Sequence, residues 1–116
     1  MSKDILLLLP PGFQANGRRE FCPECAELWG VLHYYPAIKE ALTISYVGID
    51  HPRAPICEIL GDGRWNAPTL IIAQPQDVTD EIAIETANGA AFLGSARQIA
   101  KYFAITYGTA MPRGTP

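Results

Sequence analysis

The sequence predicts an α/β domain: a four-stranded mixed sheet with helices on both faces, in the order β-α-β-α-β-β-α. Three observations carry that prediction. Ile5 to Leu9 is an unbroken apolar run, as a strand buried on both faces requires. Leu28, Val31, Leu32 and Tyr35 recur at three- and four-residue spacing, the period of a helix with one apolar face. Asn88-Gly89 is the strongest hairpin turn in the chain. A parallel strand–helix–strand unit, followed by a hairpin and a closing helix, builds such a sheet.

Each element can be justified in order. Pro10-Pro11-Gly12 ends the first strand, and Gln14 to Glu20 reads as a polar loop. Pro23 suits a first helical turn, where its missing N–H costs nothing. Pro36 breaks that helix, with a short continuation to about Ala41. Thr43 to Ile49, β-branched and aromatic, is the second strand. Asp50 to Pro55 is a turn region leading to a short helix that reaches about Leu60 and is closed by Gly61-Asp62-Gly63. Ala67 to Ala73 is the third strand, with Pro68 at its start. Gln74 to Asp80 is a polar connection and Ile82 to Thr86 a candidate extra strand. Ala90 to Leu93 follows the hairpin turn. Ser95 is a sound N-cap for a final helix to about Tyr107, with Ile99, Tyr102 and Phe103 inward and Gly108 at its stop. Residues 1–108 therefore form one domain and 109–116 a flexible tail.

Composition narrows the function classes. The chain has 116 residues, 48% apolar and 18% charged, with a formal net charge of −3. No basic cluster exceeds Arg18-Arg19, so nucleic acid is not an expected partner. The apolar run at the N-terminus is cut off by two prolines. It is too short for the core of a signal peptide or for a membrane span. Three cysteines, an odd number without an export signal, point to the reducing cytoplasm rather than a disulfide scaffold.

The chemistry concentrates in Phe21-Cys22-Pro23-Glu24-Cys25. Two thiols two residues apart at a helix start can face each other and close a disulfide. Cys22 lies at the positive end of the helix dipole, where unpaired N–H groups favour thiolate, the reactive form.

That motif, in this order of elements and with Ala67-Pro68-Thr69-Leu70 downstream, resembles the thioredoxin superfamily. The resemblance covers about residues 4 to 107. It implies a cis-proline at Pro68, facing the cysteines, with the free backbone groups of Ala67 aligning a substrate. The proline directly after Cys22 is more like glutaredoxins. Phe92-Leu93-Gly94-Ser95 and the helix after it are similar to glutaredoxins and glutathione transferase N-terminal domains, where that helix start binds a glutathione carboxylate. By the same matching, Gly94 and Ser95 would bind substrate. The whole pattern also resembles a bacterial family of uncharacterised thioredoxin-like proteins. In three respects the chain departs from redox members: the link from Pro10 to Phe21 is long, Gly94-Ser95-Ala96-Arg97 lacks the acidic residue that usually follows Gly-Gly in glutaredoxins, and no buried strand acid is apparent to take a proton from Cys25.

The expected activity is thiol–disulfide exchange on protein or glutathione mixed disulfides, with Cys22 attacking and Cys25 resolving. Glutathione, as a co-substrate, is the one small molecule implied; no cofactor is. A non-enzymatic thioredoxin-like binding module is the alternative. A zinc site built from Cys22, Cys25, Cys57 and His33 or His51 is a weaker third, since the long gap to His51 and Cys57 is not a zinc spacing. Cys57 reads as a small buried side chain on the second helix. Arg18 and Arg19 could hold a substrate carboxylate or simply solvate a loop. Trp29 and Trp65 read as packing or rim.

Overall fold

The computed structural model describes residues 3–50, 53–64 and 66–115. Strand β1 (Asp4–Leu8) leads into a hairpin of β2 (Phe13–Ala15) and β3 (Arg18–Glu20). Helix α1 (Pro23–Tyr34), helix α2 (Ala37–Ala41) and strand β4 (Leu42–Tyr46) complete a β-α-β unit. Helix α3 (Ala54–Leu60), strand β5 (Thr69–Ile72), a single 3-10 turn at Pro75–Asp77, strands β6 (Glu85–Ala87) and β7 (Ala90–Leu93), and helix α4 (Ala96–Tyr107) follow.

The α/β class and the mixed sheet stand, but the main sheet has five strands, in the order β4-β1-β5-β7-β6. β1 runs parallel to β4, and β5, β7 and β6 are successively antiparallel. The fifth strand is the outer arm of the Asn88-Gly89 hairpin, where Ala87 faces Ala90. Both turn residues have positive φ, 51° and 80°, as the two-residue hairpin turn demands. This strand begins at Glu85 rather than Ile82. Ile82 instead tucks into the core from irregular backbone.

The segment Gln14 to Glu20 is not a loop. Asn16-Gly17, again with positive φ at both residues (54° and 72°), turns a hairpin that pairs Gln14 with Arg19. Its polar side chains reflect a ribbon with both faces near water. At Pro36 the chain breaks as expected: the Tyr35 N–H closes α1 on the Val31 carbonyl, and Pro36 starts α2.

Leu6, Leu7 and Leu8 point alternately to opposite faces of the sheet, and all three are buried, so both faces are covered. Leu28 and Leu32 of α1 pack in the same core as Ile99 and Phe103 of α4, all four fully buried at helical spacing. Tyr102 is also inward. Beyond α4, the Ala110 N–H reaches the Tyr35 hydroxyl and the Arg113 carbonyl accepts from Arg97. Among the described residues no helix is long and apolar enough to cross a membrane.

Candidate active site

Cys22 is the N-cap of α1, in extended backbone (φ −80°, ψ 115°) with Pro23 next to it as the first helical residue. Its Sγ accepts the Cys25 N–H at 3.2 Å, doing with sulfur what a Ser or Asp oxygen does at most helix starts. One turn on, Cys25 points into the core and is only 4% exposed. The Leu9 N–H, just past the end of β1, donates to the Cys25 Sγ at 3.5 Å. Burial, then the hydrogen bond to the Cys22 thiol, pushes the Cys25 thiol up to about 12; the Leu9 N–H offsets part of this, and the charge of Glu24 adds to it. Cys22 is half-buried, and both thiols are free. The pair is thus asymmetric, with one sulfur locked in as a thiol and the other reachable from outside.

The remaining predicted residues gather at the same sheet edge. β1 ends there, β5 begins there and β7 ends there, as the Leu7–Thr69 and Leu70–Leu93 pairings require. The Ala67–Pro68 bond is cis, with Pro68 fully buried and Ala67 half-buried. Asn66, which no sequence motif marks, ties this turn to the next: its Nδ2 donates to the Gly94 carbonyl at 2.6 Å and to the Pro68 carbonyl at 3.3 Å. Ser95 caps α4, its Oγ accepting the Gln98 N–H at 3.3 Å.

Glu24, inside the Cys-x-x-Cys, completes the chain of contacts. Its Oε1 accepts the Ala96 N–H at 2.9 Å. The carboxylate at the start of α4 is therefore the protein's own. An acid in a first helical turn ordinarily complements its own helix dipole. Nothing in the local sequence marks a partner 72 residues away.

Two cavities draw residues from this edge of the sheet. One, of about 420 Å³, is lined by Cys22 and Cys25 with Pro10, Pro11, Phe21, Trp29 and Tyr46 around them. Trp29 and Tyr46 form a tilted ring pair 6.5 Å apart, so Trp29 is a wall of this groove. The other, of about 570 Å³, holds Asn66, Gly94 and Ser95 with Arg53 and Arg64, and neither cysteine. Ala67 and Pro68 line neither.

Arg18 pairs with Glu20 at 2.8 Å on the exposed hairpin. Arg19 lies against Gly12. Cys57, on α3, is half-buried rather than buried, and its thiol donates to the Arg64 carbonyl at 3.3 Å. Among the described residues no three His, Cys, Asp or Glu side chains meet as a metal site would require. His51 and Trp65 lie outside the described residues.

One strand acid is buried, but not where it could take a proton from Cys25. Asp4 is 8% exposed; its Oδ1 accepts the Ala73 N–H at 2.8 Å and its Oδ2 accepts from the Tyr102 hydroxyl. It stands at the opposite end of β1 from Leu9, roughly 16 Å away at strand rise. It therefore fastens β1 to β5 and α4, far from the sulfurs. Burial, followed by the nearby Asp4 carboxylate, raises the Tyr102 phenol well above its usual range, and burial and Asp4 raise Tyr107 in the same direction.

A family model spanning residues 3–111, almost the whole chain, matches this sequence. The chain belongs to the DUF3088 family, described as a protein of unknown function. No curated protein and no solved structure matches significantly. Membership in DUF3088 agrees with the expected likeness to an uncharacterised family and brings no activity with it, so function must be argued from the site.

Proposed function

We propose that this DUF3088 protein is a thioredoxin-like thiol–disulfide oxidoreductase of the cytoplasm, acting on protein or glutathione mixed disulfides. The observation that carries the proposal is the asymmetry of the dithiol: Cys22 caps α1 at the floor of an open groove, while Cys25 is buried behind it as a thiol. A parallel β-α-β unit, antiparallel strands and a closing helix, with a cis-proline before β5, are the arrangement the thioredoxin resemblance implies.

The chemistry balances on the protein's own sulfurs. The Cys22 sulfur attacks one sulfur of the substrate disulfide; that S–S bond breaks, and the other substrate sulfur leaves and takes up a proton. Cys25 then passes its proton to the departing second substrate sulfur and attacks the Cys22 sulfur. The second substrate thiol is released, and a Cys22–Cys25 disulfide remains. The substrate gains two electrons, and two small-molecule thiols, joined as their own disulfide, or one partner dithiol return two to the protein.

Replacing Cys22 with Ser should abolish reduction of a model disulfide. Replacing Cys25 with Ser should leave the first attack and accumulate the mixed disulfide, detectable by intact mass. Equal loss in both variants without a trapped adduct would sink the proposal.

The groove supports a second reading, in which the domain binds a partner and its thiols are incidental. Partner binding unchanged in a Cys22→Ser/Cys25→Ser protein would favour it.

A further inference from the structure

The groove that holds the sulfurs lies on an unexpected side of them. In the sheet order, β4 flanks β1 on one side and β5 on the other. Ala67-Pro68 leads into β5, so a substrate aligned there would approach from the β5 side. The groove instead takes its walls from the segment after β1, from Trp29 of α1 and from Tyr46 at the end of β4. Its other wall is Phe21, carried to the rim by the β2–β3 hairpin. The long link between β1 and Cys22 thus contributes Pro10, Pro11 and Phe21 to the walls of this groove.

The lining is distinctive. No Lys, Arg, His, Asp or Glu is among its described residues, and its aromatic rim is open to water, with Phe21 60% and Tyr46 51% exposed. Open apolar surface gathered round a cleft marks a binding site rather than scattered exposure. The volume, about 420 Å³, is that of clefts that take small organic groups. Its described residues offer an entering carboxylate no charged partner. On the other flank, the Ala96 N–H that could receive such a carboxylate is already bonded to Glu24.

We infer that this β4-side groove is the specificity pocket of the site, and that it takes an aromatic side chain flanking the substrate's disulfide. The substrate class is then a protein or peptide disulfide with apolar neighbours, and glutathione, with its two carboxylates, is disfavoured. The chemistry of this inference rests on the oxidoreductase reading; the pocket itself does not.

Two blocked cystine peptides test it, one with phenylalanine on either side of cysteine and one with glutamate. Reduction rates are normalised to the reaction of each peptide with dithiothreitol. The wild-type protein should prefer the phenylalanine peptide by about tenfold or more, as burial of one aromatic ring allows. In the Phe21→Ser/Tyr46→Ser variant, which alters two exposed rings, the ratio should fall towards one. A wild-type ratio near one overturns the inference. Separately, Cys22→Ser protein, which cannot exchange, is titrated with N-acetylphenylalaninamide and followed by NMR. Shifts at the Trp29 indole, Phe21 and Tyr46 uphold the pocket even if neither peptide is reduced, an outcome that counts against the oxidoreductase reading alone. Absence of those shifts overturns the pocket whether or not exchange occurs.

Discussion

The Glu24 carboxylate accepts the backbone N–H of Ala96 at 2.9 Å, so a residue between the two cysteines caps a helix 72 positions later. With the Arg97–Glu27 ion pair at 3.1 Å, it stitches α1 to α4 directly behind the dithiol. The turn that holds Cys22 is thereby fixed by the last helix of the domain.

Glu24→Ala removes the acceptor from a half-buried amide and should cost about 1–2 kcal/mol in chemical denaturation, the range of lost helix caps and charged hydrogen bonds. Glu24→Gln keeps an acceptor and should cost less. Equal losses for the two would show that the bond contributes nothing beyond charge.

Asp4 and Tyr102 form a buried long-range polar pair. Asp4→Ala leaves both the Ala73 N–H and the Tyr102 hydroxyl without their carboxylate and should cost roughly 2–4 kcal/mol, one unsatisfied buried group at each. Tyr102→Phe, which leaves Asp4 its second bond, should cost less. The double variant should be less damaging than the sum, and simple additivity in thermal melts would argue against a coupled pair.

Alkaline stability follows from the buried acids. The Cys25 thiol is raised from an ordinary 9.0 to about 12 in the folded protein. Between those values the folded state holds a proton that the unfolded chain has released, so stability is complete below pH 9 and lost as pH rises towards 12. The slope is about 1.4 kcal/mol per pH unit for one such group. Tyr102, raised from 10.0, adds a second loss above pH 10. Urea melts from pH 8 to 11 should therefore show falling stability, with a shallower fall in Cys25→Ala. A flat profile in the wild type would contradict the burial of these groups.

The two Asn-Gly turns offer a test of architecture. Gly89 has φ of +80° with open space where a side chain would stand, so Gly89→Ala meets backbone strain without a clash. The expected cost is about 1 kcal/mol, the penalty of a left-handed residue. Hydrogen exchange should localise it to β6 and β7. Protection lost evenly across the sheet would mean that the outer strand is not a separate unit.

Much of this was legible in the sequence because it was written locally. The apolar run at Ile5, the proline breaks, the Ser95 cap and the period of Leu28 and Leu32 each report on neighbours within a few residues. Asn16-Gly17 carried the same signal as Asn88-Gly89, but its flanks are polar, so the usual apolar cue for strands was missing. The cysteines stood out because a helix start is visible in sequence. The tie of Glu24 to Ala96 and the place of Tyr46 beside the cysteines were not, since those contacts arise from how separate strands are ordered in the sheet. Asp4 was hidden for the same reason: an acid at a strand end looks solvent-facing until its partners on β5 and α4 are known.

The contact between the Leu9 amide and the Cys25 sulfur, 16 residues apart, gives the protein a built-in gauge. Any change in that sulfur's bonding alters what the amide proton sees, while the proton itself belongs to a rigid strand end beside Pro10. In 15N-labelled protein the Leu9 amide resonance would thus report a change in the bonding of that sulfur without a probe attached to either cysteine.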